Sequence, residues 1–175
     1  LVPLQIVICI AFLFSCSSNL NFDNTNLEIE PEVTIPLVFF ELDQRDFLDE
    51  NNQEITVVSD ITVFRIFDNT VLKDNLVELT LDFEIENGFD RSFLVDFVFL
   101  DEGENITYDV EDFSINAGDL DYSSTRSIVI ETSPEFLNSI KVRVDVVLSP
   151  STTILNPDIE KTFKFRSSGT FYLKF

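Results

Sequence analysis

Thirty-two of the 175 residues are acidic and none is histidine, so any chemistry this chain performs rests on carboxylates. Three acidic groupings fall between apolar runs: Asp43, Asp46 and Asp49; Asp101, Glu102 and Glu104, followed by Asn105; and Asp119 with Asp121. A hard cation such as calcium takes several oxygens at once, and turns rich in Asp, Glu and Asn supply them. Asp101, Glu102, Glu104, Asp119 and Asp121 are therefore candidate calcium ligands, and calcium is the one cofactor the sequence suggests. None of the three runs has the spacing of an EF-hand loop, so solvated turns built by acids are the competing explanation.

Other chemistries are excluded or weakened by composition. Without His there is no imidazole base, no Ser-His-Asp or Cys-His nucleophile and no His-ligated metal. A net charge of -21 argues against binding nucleic acid, which needs clustered Lys and Arg. A carboxylate pair of the glycosidase kind survives this test. Sugar clefts lean on Trp and Tyr platforms, however, and the chain has no Trp and three Tyr. No Gly-x-Ser-x-Gly elbow and no phosphate-cradling Gly loop occurs. The expectation is a protein that is not an enzyme.

The elements that would position these groups are strands. Residues 76–86 alternate strictly: Val77, Leu79, Leu81, Phe83 and Ile85 against Glu78, Thr80, Asp82, Glu84 and Glu86. That is a half-buried strand with one solvated face. Residues 140–148 and 159–166 repeat the pattern, and further strands are expected at 33–42, 55–58, 61–67, 92–100, 105–110, 113–116, 126–132 and 170–175. Turn residues separate them, among them Asn87-Gly88, Ala117-Gly118-Asp119 and Ser168-Gly169. Ser133 to Leu137 reads as one helical turn with Pro134 at its first position. About eight or nine short strands at this spacing predict an all-β, antiparallel, immunoglobulin-like β-sandwich over residues 33–175. Nineteen Phe supply the core that Trp and Met would otherwise fill. A transmembrane barrel, suggested by the closing Phe171-Tyr172-Leu173-Lys174-Phe175, ranks lower because aromatic girdle residues are scarce.

Two runs are apolar on both faces, 35–42 and 93–100, where Leu94, Val98 and Leu100 surround Asp96. They are either covered within the domain or form a patch that docks a partner protein. Charge is also uneven. Residues 1–121 hold 27 acids and four bases, whereas residues 122–175 hold five acids and seven bases. Strands carrying Glu78, Asp82, Glu84 and Glu86 and strands carrying Lys141, Arg143, Lys164 and Arg166 are expected to be neighbours that pair these charges.

The amino-terminal stretch reads as an address. Residues 1–15 carry no charge, and the apolar run ends at Leu13-Phe14-Ser15-Cys16, followed at once by Ser17-Ser18-Asn19. At about 11 residues the run is short for a spanning helix but suits a signal-peptide h-region. This segment resembles a bacterial lipoprotein signal, of the kind found in Bacteroidota, with Leu13 and Ser15 in the positions that precede the acylated cysteine. The resemblance implies a signal peptide at 1–15, lipidation of Cys16, and a membrane anchor, with Ser17 favouring the outer membrane. With no Met or basic n-region ahead of it, the chain is expected to start inside its signal. Residues 16–32, rich in Asn, Ser and acids, are expected to be a flexible tether.

Together these readings predict a lipid-anchored envelope protein that binds or scaffolds a protein partner without catalysis. The alternative is a calcium-dependent adhesive or ligand-binding module, with a small carboxylate hydrolase a weaker one.

Overall fold

Alternating apolar and polar side chains make each strand of this chain two-faced, and two sheets pack their apolar faces together. The computed structural model describes residues 30–152 and 154–175; the expected signal at 1–15, Cys16 and the tether as far as residue 29 lie outside the described residues. Eight strands are present: β1 (Glu32–Asp43), β2 (Val57–Val63), β3 (Leu76–Asn87), β4 (Phe93–Leu100), β5 (Ile106–Ile115), β6 (Tyr122–Val129), β7 (Lys141–Leu148) and β8 (Thr162–Leu173). A short helix, α1 (Thr70–Asn75), precedes β3, with Asn69 capping its first amides. Single 3-10 turns occupy Gln44–Phe47, Ile66–Asp68 and Pro134–Asn138. The last is the helical turn expected after Ser133.

The strands form two four-stranded antiparallel sheets, β1-β8-β3-β6 and β2-β7-β4-β5. The sandwich expected from strand number and turn spacing is thus present. Its connectivity is nested: β1 pairs with β8, β2 with β7, β3 with β6 and β4 with β5. This is the order of a jelly roll, one long hairpin bent at the β4–β5 turn and rolled on itself. Loops 44–56, 88–92, 116–121 and 149–161 gather at one end of the sandwich, and loops 64–75, 101–105 and 130–140 at the other.

Phenylalanine fills the space between the sheets. Phe83 of β3 lies 4.5 Å from Phe113 of β5 and 5.1 Å from Phe97 of β4, ring centre to ring centre. Phe99 meets Phe136 edge to face at 4.8 Å. Each such pair contributes about 0.5–1.5 kcal/mol beyond burial alone.

The two runs that looked apolar on both sides have different explanations. In β1 the register with β8 slips between Pro36 and Val38. A bulge flips the alternation by one residue, so Ile35 and Leu37 before it, and Val38, Phe40 and Leu42 after it, all pack on the core. Phe39 is left outside, 64% exposed, under the Arg166 guanidinium at 5.7 Å. In β4 the outward Val98 and Leu100 are buried without belonging to the core. They lie directly opposite Arg143 and Lys141 of β7, long side chains whose stems cover apolar surface.

Several expected boundaries shift. Residues 105–110 and 113–116 are one strand, β5, with register slips opposite Asp96 and opposite Phe99/Leu100. Residues 159–166 and 170–175 merge into β8, so Ser168-Gly169 is strand interior and not a turn. There a β-carbon on Gly169 would sit 3.0 Å from Leu79 Cδ1 and 3.2 Å from Leu37 Cδ1, so glycine leaves room on the core face for side chains of β3 and β1, its neighbours in the same sheet.

Candidate functional site

The loop acids build their own turns. Asp101 accepts from the Asn105 backbone N–H at 2.9 Å and from its side-chain amide at 3.0 Å. These bonds, the side-chain one foremost, hold the Asp101 carboxyl below the usual carboxylate range. Glu104 pairs with Lys141 at 2.9 Å, and Glu102 is exposed at the hairpin tip. At the far end of the ten-residue β5, roughly 30 Å away at strand rise, the Asp121 N–H donates to Asp119 at 3.3 Å. Asp101, Glu102 and Glu104 are therefore separated from Asp119 and Asp121, which share their end of the sandwich with Asp43, Asp46 and Asp49. Asp49 in turn accepts from the backbone N–H groups of Asn51 at 2.7 Å and Gln53 at 2.8 Å. Among the described residues, no three acids converge as a metal-ligating group.

On the outer face of the first sheet the charges of β3 and β8 pair as expected, whereas β7, which carries Lys141 and Arg143, lies in the second sheet and does not neighbour β3. Arg166 of β8 lies 3.0 Å from Glu86 and 4.0 Å from Glu84 of β3. Glu78 and Asp82 instead accept from Ser127 and Thr125 of β6. At the loop-rich end, Arg91 is buried, donating to Glu54 at 3.0 Å and to the Ser149 carbonyl at 2.7 Å. Glu54 also accepts from the Leu155 N–H at 2.8 Å, and buried Asn87 donates to the carbonyls of Arg91 and Asn116 at 2.8 and 2.7 Å. This network ties four segments together and is structural.

The second sheet is less balanced. Asp96 of β4 lies directly opposite Asp145 of β7. Burial pushes the Asp96 carboxyl up, as do Asp112, Asp109 and Asp145, while Arg143 opposes them. Arg143 is itself engaged with Asp145 at 2.9 Å. Sequence reading noticed Asp96 alone, because its acidic neighbours come from β5 and β7 and only strand pairing brings them together.

The edges of the sheets differ in how they are guarded. A free edge offers unpaired backbone groups, which bulges, Pro and charges normally blunt. β1 carries Pro36 and a bulge, and β5 carries a bulge with Asp109, Glu111 and Asp112. β6 is polar, and its Arg126 reaches across the open side of the sandwich to Glu111 at 3.4 Å and over the Phe113 ring at 5.3 Å. β2 has no Pro and no bulge, and its one charge is Asp60. It is seven residues long and pairs with β7 in an unbroken register. Its outward Val57, Ile61 and Val63 are 44%, 50% and 63% exposed. Beside it, between β1 and β2, runs a groove of about 260 Å³ lined by Ile35, Leu37, Val63, Phe64 and Ile66. Sequence reading missed this edge because Ser59-Asp60 looked like a break between two strands.

Comparison with known proteins adds the fold only. No family model matches the chain, and no curated protein matches it by sequence. A solved protein of Parabacteroides distasonis, predicted to be secreted, is similar over 66% of this chain and 38% of its own, with a TM-score of 0.50 and 10% identity. The chain thus spans well under half of that structure, and at such identity the likeness speaks for the sandwich alone. The infectious bursal disease virus VP2 subviral particle matches at TM-score 0.43 and 9% identity, over 83% of this chain and 33% of that one. Bacillus endospore appendages that form disulfide-linked pili match at TM-score 0.35 and 11% identity, over 83% and 90%. Among the described residues, no helix is long and apolar enough to cross a membrane.

Proposed function

We propose that this is a lipid-anchored protein of the bacterial cell envelope that binds a protein partner and catalyses no reaction. Acylated Cys16 holds it on the outer membrane, and the segment after it tethers the sandwich close to the lipid surface. Two acyl chains or more give stable anchoring. The observation that carries the binding role is β2, a strand edge without Pro or bulge, apolar on its outer side, whose single charge, Asp60, has no cation partner among the described residues. Such surface on a folded domain marks a place where another chain sits.

The anchoring is tested by growing cells on an alkyne fatty acid and comparing the full chain with Cys16→Ala. The parent is labelled and sediments with membranes; the variant loses the label and appears in the soluble fraction. Unchanged attachment of the variant overturns the anchor. The binding role is tested by isolating the cross-linked full chain in detergent, which is expected to bring one protein in stoichiometric amount. Recovery of the chain by itself counts against that role.

A further inference from the structure

One charged side chain explains what the β2 edge accepts. Asp60 lies directly opposite Val144, whose side chain is buried in the core, so Asp60 is on the core-facing side of β2 although it is exposed at the edge. Arg126 of β6 has the equivalent position on the other sheet, opposite the buried Leu81, and is matched there by Glu111. Asp60 accepts a hydrogen bond from Thr62 at 3.2 Å, and among the described residues it has no cation. The backbone is also ready. Leu148 donates to the Thr56 carbonyl at 2.8 Å and Phe64 to the Ile140 carbonyl at 2.7 Å. Antiparallel alternation then turns Val58, Asp60 and Thr62 towards β7 and leaves the N–H and C=O groups of Val57, Ser59, Ile61 and Val63 facing away.

Resting on the binding role proposed above, we infer that the free edge of β2 accepts an extended segment of a partner protein as an added strand, with a Lys or Arg of that segment beside Asp60. The segment's outward residues are apolar, against Val57, Ile61 and Val63. Its inward residue near Thr62 is also apolar and enters the groove of Ile35, Leu37 and Ile66. A second copy of this chain is a poor occupant. The antiparallel register that pairs all of β2 with itself sets Asp60 against Asp60, which is unfavourable, and each copy carries a net charge of -21. Main-chain bonds give such strand addition its affinity and alternate side chains its specificity.

The test uses the full chain in detergent and a blocked heptapeptide, Thr-Val-Val-Val-Lys-Val-Thr, titrated by fluorescence anisotropy at physiological salt. The parent is expected to bind in the micromolar range, with amide exchange slowed at Val57, Ser59, Ile61 and Val63. Ile61→Pro removes only an outward N–H, which edge strands tolerate, and is expected to weaken binding at least tenfold. Asp60→Asn should weaken it several-fold, whereas Asp96→Asn should not. The same peptide with its valine amides N-methylated keeps its charge and should not bind; this arm does not depend on any variant folding. Equal binding of the N-methylated peptide, no binding at all, or a free protein that is already a dimer with protected β2 amides overturns the inference. A native partner that still co-isolates with Ile61→Pro would overturn the edge assignment while leaving the binding role intact.

Discussion

Asp49, Asp101 and Asp96 are carboxylates of one protein with opposite responses to protons. The Gln53 N–H foremost, with Asn51, holds Asp49 down, and the Asn105 side chain and backbone hold Asp101 down. Their stabilising contributions are complete above the unfolded pKa and disappear as pH falls through the depressed folded values. Asp96 is raised, first by burial and then by Asp112, Asp109 and Asp145. Its charge therefore opposes folding at neutral pH, and the penalty is relieved as pH falls through the raised value. Asp96→Asn is expected to raise the melting temperature at pH 7 by about 1–3 °C, from relief of a like-charge pair worth roughly 0.2–1 kcal/mol. The gain should vanish at about pH 2.5, well below the ordinary Asp value of about 3.9, where the carboxyl is protonated in both the folded and the unfolded chain. Thermal unfolding followed by circular dichroism at both pH values checks this, and a lower melting temperature at pH 7 would contradict the sign.

At the scale of the element, period-two alternation is a reliable guide to a strand and a poor guide to where it bends. β7 is straight, and its inward residues were legible residue by residue; β3 is regular only from Glu78, because a slip between Leu76 and Glu78 buries Leu76 and leaves Val77, expected inside, 42% exposed. β1 contains a slip at Pro36/Val38, and β5 two, opposite Asp96 and opposite Phe99/Leu100. A slip exchanges the two faces part-way along, so β1 looked apolar on both sides and β5 looked like two strands. Nothing local marks which partner residue is skipped, since the slip is a property of the pair. Gly169 misled for a related reason: beside Ser168 it reads as a turn, whereas here small size between the side chains of neighbouring strands is what the position requires. Gly169→Val would place its branched carbons among Leu79, Leu37 and Phe171, already 3.0–3.2 Å from an added β-carbon. Overpacking of this kind costs about 2 kcal/mol, so urea unfolding should show a lower midpoint at unchanged slope. The melting temperature should fall by roughly 4–8 °C. A stability equal to the parent would mean the side chains of β1, β3 and β8 are not closely packed around this position.

Over the whole molecule, the jelly-roll order and the uneven charge along the chain fit one another. Strands β1 to β5 come from the stretch with 27 acids and four bases, and β6 to β8 from the stretch with five acids and seven bases. Nested pairing sets β8 between β1 and β3, and β7 between β2 and β4. Lys164 and Arg166 thereby reach Glu84 and Glu86, and Lys141 reaches Glu104. The sequence made it legible that these strands meet; which strand meets which required the topology. The pairing leaves a large excess of negative charge on the surface, which disfavours the compact state through self-repulsion. Screening should therefore raise the melting temperature as salt increases from low ionic strength. The same picture predicts how divalent cations act. With Asp101, Glu102 and Glu104 at one end of β5 and Asp119 and Asp121 at the other, calcium meets diffuse charge and should stabilise no more than magnesium at equal concentration. A site of several converging oxygens would separate the two ions, because magnesium demands a tighter octahedral shell and sheds water reluctantly. Melting curves in EDTA, in millimolar magnesium and in millimolar calcium decide it. At 100 times its dissociation constant a specific ion adds about 2.7 kcal/mol, several degrees that magnesium would not match, and that result would assign the acidic loops a metal-binding role.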